Sequence, residues 1–337
     1  MSMGTASPGV RPDGFRWQDG ERLVCFGPGV LDDVGELLGQ GYTLLSTERS
    51  RASAPTVAAR AGLILTVGPG RVDGVAAGLR EQVQGELLVA LGGGRVIDTA
   101  KALAAADPPR RVAAIPTTLS GAEMTRVHRH LAGIPPDTPH VRPAVVICDP
   151  ALAASQAEPD LAASAANALA HAVEGPLTPL ASPVPTLVAH EGARLLRVAM
   201  AGAGVDRDRL ALAALLCGYA IDSSGYGLHH VLAQTLVRET GVGHGPANAA
   251  LLPHTLNALL MRFPEELDAL QAAMGFDPRL LAIELADRAQ ARRLRDHGVE
   301  RERLARLADA AAQRPELGLT PPAADSTELL GIYEAAW

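Results

Sequence analysis

Three groups of residues in this chain have the types and spacing that chemistry demands. The first is the run Leu87-Leu-Val-Ala-Leu-Gly92-Gly93-Gly94-Arg95-Val96-Ile97-Asp98-Thr99-Ala100-Lys101, an apolar strand entering three glycines and then a helix pattern. Glycine lets the backbone turn and approach a ligand closely, and a helix N-terminus offers free N–H groups and a positive dipole end; together they cradle a pyrophosphate. The run is neither GxGxxG nor GK[ST], which sets aside the standard dinucleotide fingerprint and the kinase-type phosphate loop. Asp98 and Lys101 stand three residues apart on one helical face. They are either an ordinary surface ion pair or part of the loop itself. Composition bears on that choice, because Lys101 is the sole lysine among 30 basic residues.

The second group follows the next strand: Pro116-Thr117-Thr118-Leu-Ser120-Gly121-Ala122-Glu123. A Pro-Thr-Thr turn at a strand's carboxyl end puts hydroxyls on the edge where open α/β sheets bind ligands, although alone it is also an ordinary polar turn. The third group is histidine. Asn167 and His171 are four apart and share a helical face, His229-His230 follows Gly227-Leu228, and His244 precedes Gly245-Pro246. Beside a phosphate loop, this spacing points to a site. His128, His130, His140, His190 and His297 lack such a pattern and read as surface residues, and His254 stays open.

The elements that must carry these residues differ between the two halves. Strand patterns at Leu23–Phe26, Tyr42–Leu45, Leu63–Val67, Leu87–Leu91, Val112–Ile115 and Val145–Cys148 alternate with amphipathic stretches such as Val30–Leu38 and Val72–Val83. Near-continuous apolar strands alternating with helices predict a parallel sheet covered on both faces. Gly121 to Arg142, rich in Pro, His and Arg, breaks this rhythm and reads as a loop or hairpin. After Pro150 the pattern is helical to the end: 161–174, 183–200, 207–221, 228–238, 247–260, 280–289, 302–312 and 326–337. The reading is therefore an α/β nucleotide-type domain over 1–150 and an all-α domain over 151–337, with a cleft between.

The chain has 337 residues, a formal net charge of −7, 47% hydrophobic and 3% aromatic residues. That length suits two domains or one large one. Mild acidity without an Arg-rich run argues against nucleic-acid binding, and no apolar stretch reaches the roughly 18 to 20 residues of a membrane helix. Met1 to Asp13 lacks the charged start and apolar centre of a signal peptide. Cys25, Cys148 and Cys217 are odd in number and form no CxxC, as expected of reduced core thiols, so the expected location is the cytoplasm.

Together the motifs resemble the iron-containing (group III) alcohol dehydrogenase superfamily, and more closely its maleylacetate reductase branch. The family's GGGSxxDxAK segment reads here Gly92-Gly93-Gly94-Arg95-Val-Ile-Asp98-Thr-Ala-Lys101, with Arg95 in place of Ser, and its PTTxxxGSE segment reads Pro116 to Glu123. The NALAHAVE segment, Gly227-Leu-His229-His230 and the final Ala-Trp match the reductase branch. The resemblance implies a Rossmann-like parallel-sheet domain followed by an all-α domain, the fold shared with dehydroquinate synthase. It implies binding of NAD or NADP by Gly92, Gly93, Gly94, Asp98, Lys101, Thr117 and Thr118, with Ser46 and Thr47 at the end of the second strand. That strand end lacks the acidic residue that favours NAD, and Arg49 or Arg51 could meet a 2′-phosphate, which points towards NADPH or dual use.

The family's metal positions fall on Asn167, His171, His230 and His244, where zinc or iron would sit. A neutral amide at 167 weakens such a site, and the family histidine four residues after His230 is Gln234. The reading is thus an NAD(P)H-dependent reductase passing hydride to a small unsaturated or keto acid, maleylacetate-like, without tightly bound metal. His230 and His244 serve as charge stabiliser and proton donor, and His171 and Asn167 orient substrate. Segments 126–142 and 314–322 depart from the branch and bear on specificity. Three alternatives stand beside this reading: a metal-dependent alcohol dehydrogenase, a diverged nucleotide-binding protein without turnover, and a dehydroquinate synthase-type lyase that the single lysine disfavours. A homodimer is implied by the resemblance alone.

Overall fold

The computed structural model describes residues 14–202 and 204–337; Met1 to Asp13, read above for a leader, lies outside them. A seven-stranded sheet is built from β1 (Phe15–Asp19), β2 (Arg22–Phe26), β3 (Tyr42–Ser46), β4 (Ala61–Thr66), β5 (Leu87–Gly92), β6 (Arg111–Pro116) and β7 (Val145–Cys148), in the order β1-β2-β7-β6-β5-β3-β4. All pairings are parallel except the β1–β2 hairpin. The hairpin strand β1 has no counterpart among the predicted strands, although a two-residue turn that opens with glycine, here Gly20-Glu21 between the paired Asp19 and Arg22, is a recognised hairpin signal; Gly20 takes φ 60° there. The central strands are buried on both faces, as their unbroken apolar runs require.

The helices of the first half are α1 (Val34–Leu38), α2 (Glu48–Ser53), α3 (Pro55–Ala58), α4 (Val72–Leu79) and α5 (Gly94–Ala106). From Pro150 onwards there are only helices among the described residues: α6 (Pro150–Ala153), α7 (Glu158–Glu174), α8 (Pro183–Met200), α9 (Arg207–Ser224), α10 (Leu228–Thr240), α11 (His244–Arg262), α12 (Pro264–Met274), α13 (Pro278–Arg288), α14 (Leu304–Ala312) and α15 (Ser326–Ala336), with short 3-10 turns. Proline at the first turn of α6, α8, α12 and α13 and Asp caps on α6, α9, α13 and α15 set where these helices begin. Helix α12 has no counterpart among the predicted helices, although its Pro264, acidic first turn and left-handed Gly275 cap all mark it. The largest apolar core joins Val24 and Phe26 of β2 and Val146 and Cys148 of β7 to the helices, so the sheet edge and the helical half share one interior. The three cysteines are free and buried. None of the described helices is long and apolar enough to cross a membrane.

Strand order places the glycine run. The order reverses where β3 is flanked by β4 on one side and β5 on the other, with Ser46 registered against Leu91 and Gly92 against Pro116. Ligands bind at such a switch point, beyond the carboxyl ends of the strands.

Residues 117–144 connect β6 to β7 without a helix or strand, in keeping with the loop reading. Side chains from three elements anchor them. Arg22 Nη1 donates to Met124 O at 2.7 Å, and Lys101 Nζ donates to the carbonyls of Ala122, Thr125 and Val127, each at 3.0 Å. Asp222 on α9, its carboxylate buried, accepts from Arg126 N at 2.6 Å and Arg142 Nε at 2.5 Å. His128 corrects its assignment to the surface: it is 6% exposed, and burial pushes its imidazole down to about 3.

Candidate active site

Helix α5 opens at the switch point. Gly93 O accepts from Ile97 N at 3.2 Å and Val96 N at 2.9 Å, so the amides of Gly94 and Arg95 stand ahead of the first intrahelical bonds. The glycines are needed for close approach and not for a turn, which corrects part of their expected role. Gly93 has φ −77°, open to any residue, but a Cβ there would lie 2.9 Å from Thr118 Cγ2. On Gly94 it would lie 3.1 Å from Ser120 Oγ. The loop is pressed against the Pro-Thr-Thr segment, and Thr117 N donates to Gly92 O at 3.0 Å. A helix start lined by small residues and half-buried hydroxyls fits a dinucleotide pyrophosphate.

Lys101 is no surface ion pair. It is fully buried, its three N–H bonds end on loop carbonyls, and Asp98 Oδ1 lies 2.7 Å from Nζ as a charge contact. It ties the glycine loop's helix to residues 122–127. Ser46 is likewise buried, and Thr47 caps α2 by accepting from Ser50 N. Arg51 Nη1 donates to Ser46 Oγ at 3.4 Å and Thr66 Oγ1 at 3.1 Å, which fixes a guanidinium at the carboxyl ends of β3 and β4.

The other wall comes from α7, α10 and α11. His171 and His230 stack at 4.8 Å between ring centroids and 16° between planes. The loop reaches them through Gly121, whose φ of 74° and contact with His171 Cε1, 3.0 Å from a hypothetical Cβ, leave room for no side chain. Asn167 Nδ2 donates to Ser120 O at 3.3 Å and approaches His171 Nε2 at 3.5 Å. His244 opens α11, three residues before the predicted start, and is exposed where the two halves meet. Surrounding protein pushes its imidazole below the ordinary value, and the Asp98 charge pulls it upward. The structure thus brings Asn167, His171 and His230 together, and His244 lies within electrostatic reach of His171, His230 and Asp98.

Sequence reasoning missed Glu174, although the residue closes the same segment that carries Asn167 and His171. Glu174 is 2% exposed and accepts from His229 N at 2.6 Å and His230 N at 3.2 Å; its Oε2 lies 2.5 Å from His230 Nδ1. Burial raises the carboxyl and lowers the His230 imidazole. A lone buried carboxylate is costly, so the pair favours net neutrality. With the shared proton between Oε2 and Nδ1, the remaining imidazole proton is on Nε2, which is buried without a hydrogen-bond partner among the described residues. The only signal was a carboxylate on the buried face of an Ala-rich helix. His229 differs from its neighbour. Its nitrogens meet Thr255 Oγ1 at 2.9 Å and Asn248 Oδ1 at 3.0 Å, which makes it a satisfied core residue.

The segment 314–322 packs against the start of α10, on either side of His230 in sequence. Thr320 Oγ1 accepts from Leu228 N at 3.0 Å, and Arg262 Nη1 donates to Thr320 O at 3.2 Å. Arg314 donates to Gln234 Oε1 at 3.0 Å and pairs with Glu316, while Tyr226, 5.7 Å from the His230 ring, bonds Gln234 and Glu316 as well. Arg314 Nη1 is buried without a partner among the described residues. Arg129 lies within electrostatic reach of Arg71, Arg238 and Arg314; burial lowers its guanidinium, and those three charges lower it further. Arg129 thus belongs to a cluster of arginines in which Arg71 pairs with Asp73 and Arg314 with Glu316.

The family's divalent ion does not fit these residues well. Position 167 offers an amide whose nitrogen faces Ser120 O and His171, and among the described residues the nitrogens of His171, His230 and His244 do not converge to ligand spacing.

Residues 161–337 match the family model described as Fe-containing alcohol dehydrogenase family, C-terminal. Maleylacetate reductase 2 of Cupriavidus pinatubonensis is 34% identical over 255 residues, 73% of this chain and 66% of that enzyme. Maleylacetate reductase 1 of Rhodococcus opacus is 32% identical over 276 residues, 75% of this chain and 76% of that enzyme. The crystal structure of maleylacetate reductase from Agrobacterium tumefaciens superposes with a TM-score of 0.81 at 27% identity, covering 98% of this chain and 99% of that one. The chain therefore belongs to the Fe-containing alcohol dehydrogenase family of oxidoreductases, close to its maleylacetate reductase members.

Proposed function

We propose that this oxidoreductase is an NADPH-preferring reductase of small unsaturated or keto acids, with maleylacetate-like compounds as its substrate class, and that it works without a divalent ion at Asn167, His171, His230 and His244. The observation that carries the reading is the unpartnered Nε2 of His230, held by Glu174 and stacked on His171 beside the nucleotide loop. A bound nicotinamide nucleotide supplies the hydride. Hydride addition to a conjugated or carbonyl carbon places negative charge on oxygen, and a donor fixed where that charge develops lowers the barrier. His230 Nε2–H is that donor, and Glu174 holds its ring and returns the proton through Nδ1. His244, within electrostatic reach of His230 and Asp98, completes the donor set, and His171 and Asn167 wall the substrate. Arg314 and Arg129 supply positive charge for a carboxylate. Arg51, fixed at the ends of β3 and β4, supports preference for a 2′-phosphate. The division of the chain at 150 into nucleotide-binding and substrate-binding halves is part of this reading.

The test is NADPH oxidation across a panel of enoic and 2- or 3-oxo acids, maleylacetate included. Wild type should turn over at least one of them after chelator treatment. His230→Ala should lower kcat by about 100-fold or more with nucleotide affinity kept. Full turnover in both His230→Ala and His244→Ala would overturn the assignment. Activity that vanishes on stripping and returns only with zinc or iron would overturn the metal-free chemistry.

A further inference from the structure

Outside this site, residues 126–142 hold three histidines read from sequence as surface residues. His128, His130 and His140 can each present one ring nitrogen such that all three lie within 4.8 Å of one another. Among the described residues this is the one such grouping of His, Cys, Asp or Glu. We propose that these three imidazoles form a binding site for a first-row divalent transition ion, zinc foremost, that staples the 126–142 segment.

The hydrogen bonds fix how each ring is presented. His128 Nδ1 lies 3.0 Å from Arg129 O, so it carries the proton and donates; its Nε2 lone pair accepts only one long bond, from Val141 N at 3.4 Å, which an ion would displace. His140 Nε2 lies 3.1 Å from His128 O and donates in turn, leaving Nδ1 with a lone pair. Metal-binding histidines characteristically donate their other N–H to a backbone carbonyl in this way, which sets tautomer and ring orientation. His130 Nδ1 is buried with no hydrogen-bond partner among the described residues, an orphan that a ligated ion would satisfy. The rings already crowd together: His130 stacks on His140 at 4.4 Å, and His128 meets His140 edge-on at 4.8 Å. Ligand nitrogens of a tetrahedral zinc site are about 3.4 Å apart, given bond lengths of about 2.0–2.1 Å. Reaching that spacing requires rotation of the half-buried His130 and the exposed His140 towards the buried His128. Three neutral imidazoles without a thiolate or carboxylate suit zinc, copper or nickel, and leave a fourth position for water.

The consequence is positional. Arg129 lies between two of the ligands, and Val127, next to His128, is the far carbonyl held by Lys101. An ion here fixes the loop on which Arg129 is carried, about the substrate end, and leaves the His171–His230 stack untouched.

Protein freed of metal by chelator should take up one zinc per chain on equilibrium dialysis, and cobalt in its place should give the visible bands of a low-symmetry four-coordinate ion. Zinc should raise the thermal midpoint increasingly with its concentration. His130→Ala and His140→Ala should each weaken binding at least about tenfold, with unchanged folding of the metal-free forms by circular dichroism. His230→Ala and His244→Ala should keep full zinc uptake. No uptake at micromolar zinc, uptake that survives both His130→Ala and His140→Ala, or uptake lost in His230→Ala or His244→Ala would each overturn the site. Because the readout is metal content, failure here is independent of the reductase reading.

Discussion

Replacing Lys101 tests how the glycine-rich start of α5 and the β6–β7 loop are joined. Its ammonium is fully buried and gives three hydrogen bonds of 3.0 Å to the carbonyls of Ala122, Thr125 and Val127, with Asp98 Oδ1 2.7 Å away. Lys101→Met keeps the side chain's length and removes the charge. It leaves three carbonyls without this donor, the Ala122 carbonyl among buried surroundings, and Asp98 without its partner. Losing a buried charged donor with three hydrogen bonds, each worth about 1.5–3 kcal/mol and partly offset by methionine's apolar fit, costs about 3–5 kcal/mol, a large share of the roughly 5–15 kcal/mol that holds a domain folded. Lys101→Arg keeps the charge but not the geometry. A planar guanidinium cannot address three carbonyls that converge on a tetrahedral nitrogen, and its extra atoms overfill a closed site at about 1–3 kcal/mol. Urea unfolding should therefore show losses of about 4 kcal/mol for Met and about 2 kcal/mol for Arg, with unchanged m-values. Because Lys101 ties α5 to the loop beside Thr117 and Thr118, both variants should also weaken NADPH binding at least about tenfold, equal to about 1.4 kcal/mol. Lys101→Arg with the wild-type urea midpoint and NADPH affinity would refute the reasoning.

Glu123 is buried, and desolvation raises its carboxyl to about 7 from an ordinary 4.5. The folded state thus holds a proton the unfolded chain releases, so this contribution is complete below the ordinary carboxylate range and is lost as pH rises through about 7, an order of magnitude of about 3 kcal/mol. Urea midpoints should fall between about pH 5 and 8 in wild type, and Glu123→Gln should flatten that fall; a parallel decline in both would show another group to be responsible. Gly93→Ala places a Cβ 2.9 Å from Thr118 Cγ2 in a backbone conformation alanine tolerates. It should raise the Kd for NADPH about tenfold by fluorescence titration, and Thr118→Ala in the same chain should recover part of the loss. No recovery would mean that the glycine is needed for the nucleotide's own approach and not for the loop's.

Local pattern made the parallel sheet and most of the helices legible, because strands buried on both faces must be apolar throughout and helices must show their apolar stripe. The glycine run, the Pro-Thr-Thr turn and the histidine spacing were readable for the same reason: each lies within one element, where periodicity tells which residues share a face. What tertiary structure decided are relations between elements distant in sequence. Lys101 reads as half of an i,i+3 pair until the β6–β7 loop folds over it and supplies three carbonyls from residues 122–127. Glu174 is one carboxylate on a helix until α10 brings His230 Nδ1 to 2.5 Å from it across 56 residues. His128, His130 and His140 show no periodicity, since their loop has none, and only its anchoring by Arg22, Lys101 and Asp222 turns them towards one another. Residue types and short spacings thus determined the family and the glycine-rich helix start. Which groups are charged, which are orphaned and which face one another depended on burial and long-range contact, and no local pattern encodes those.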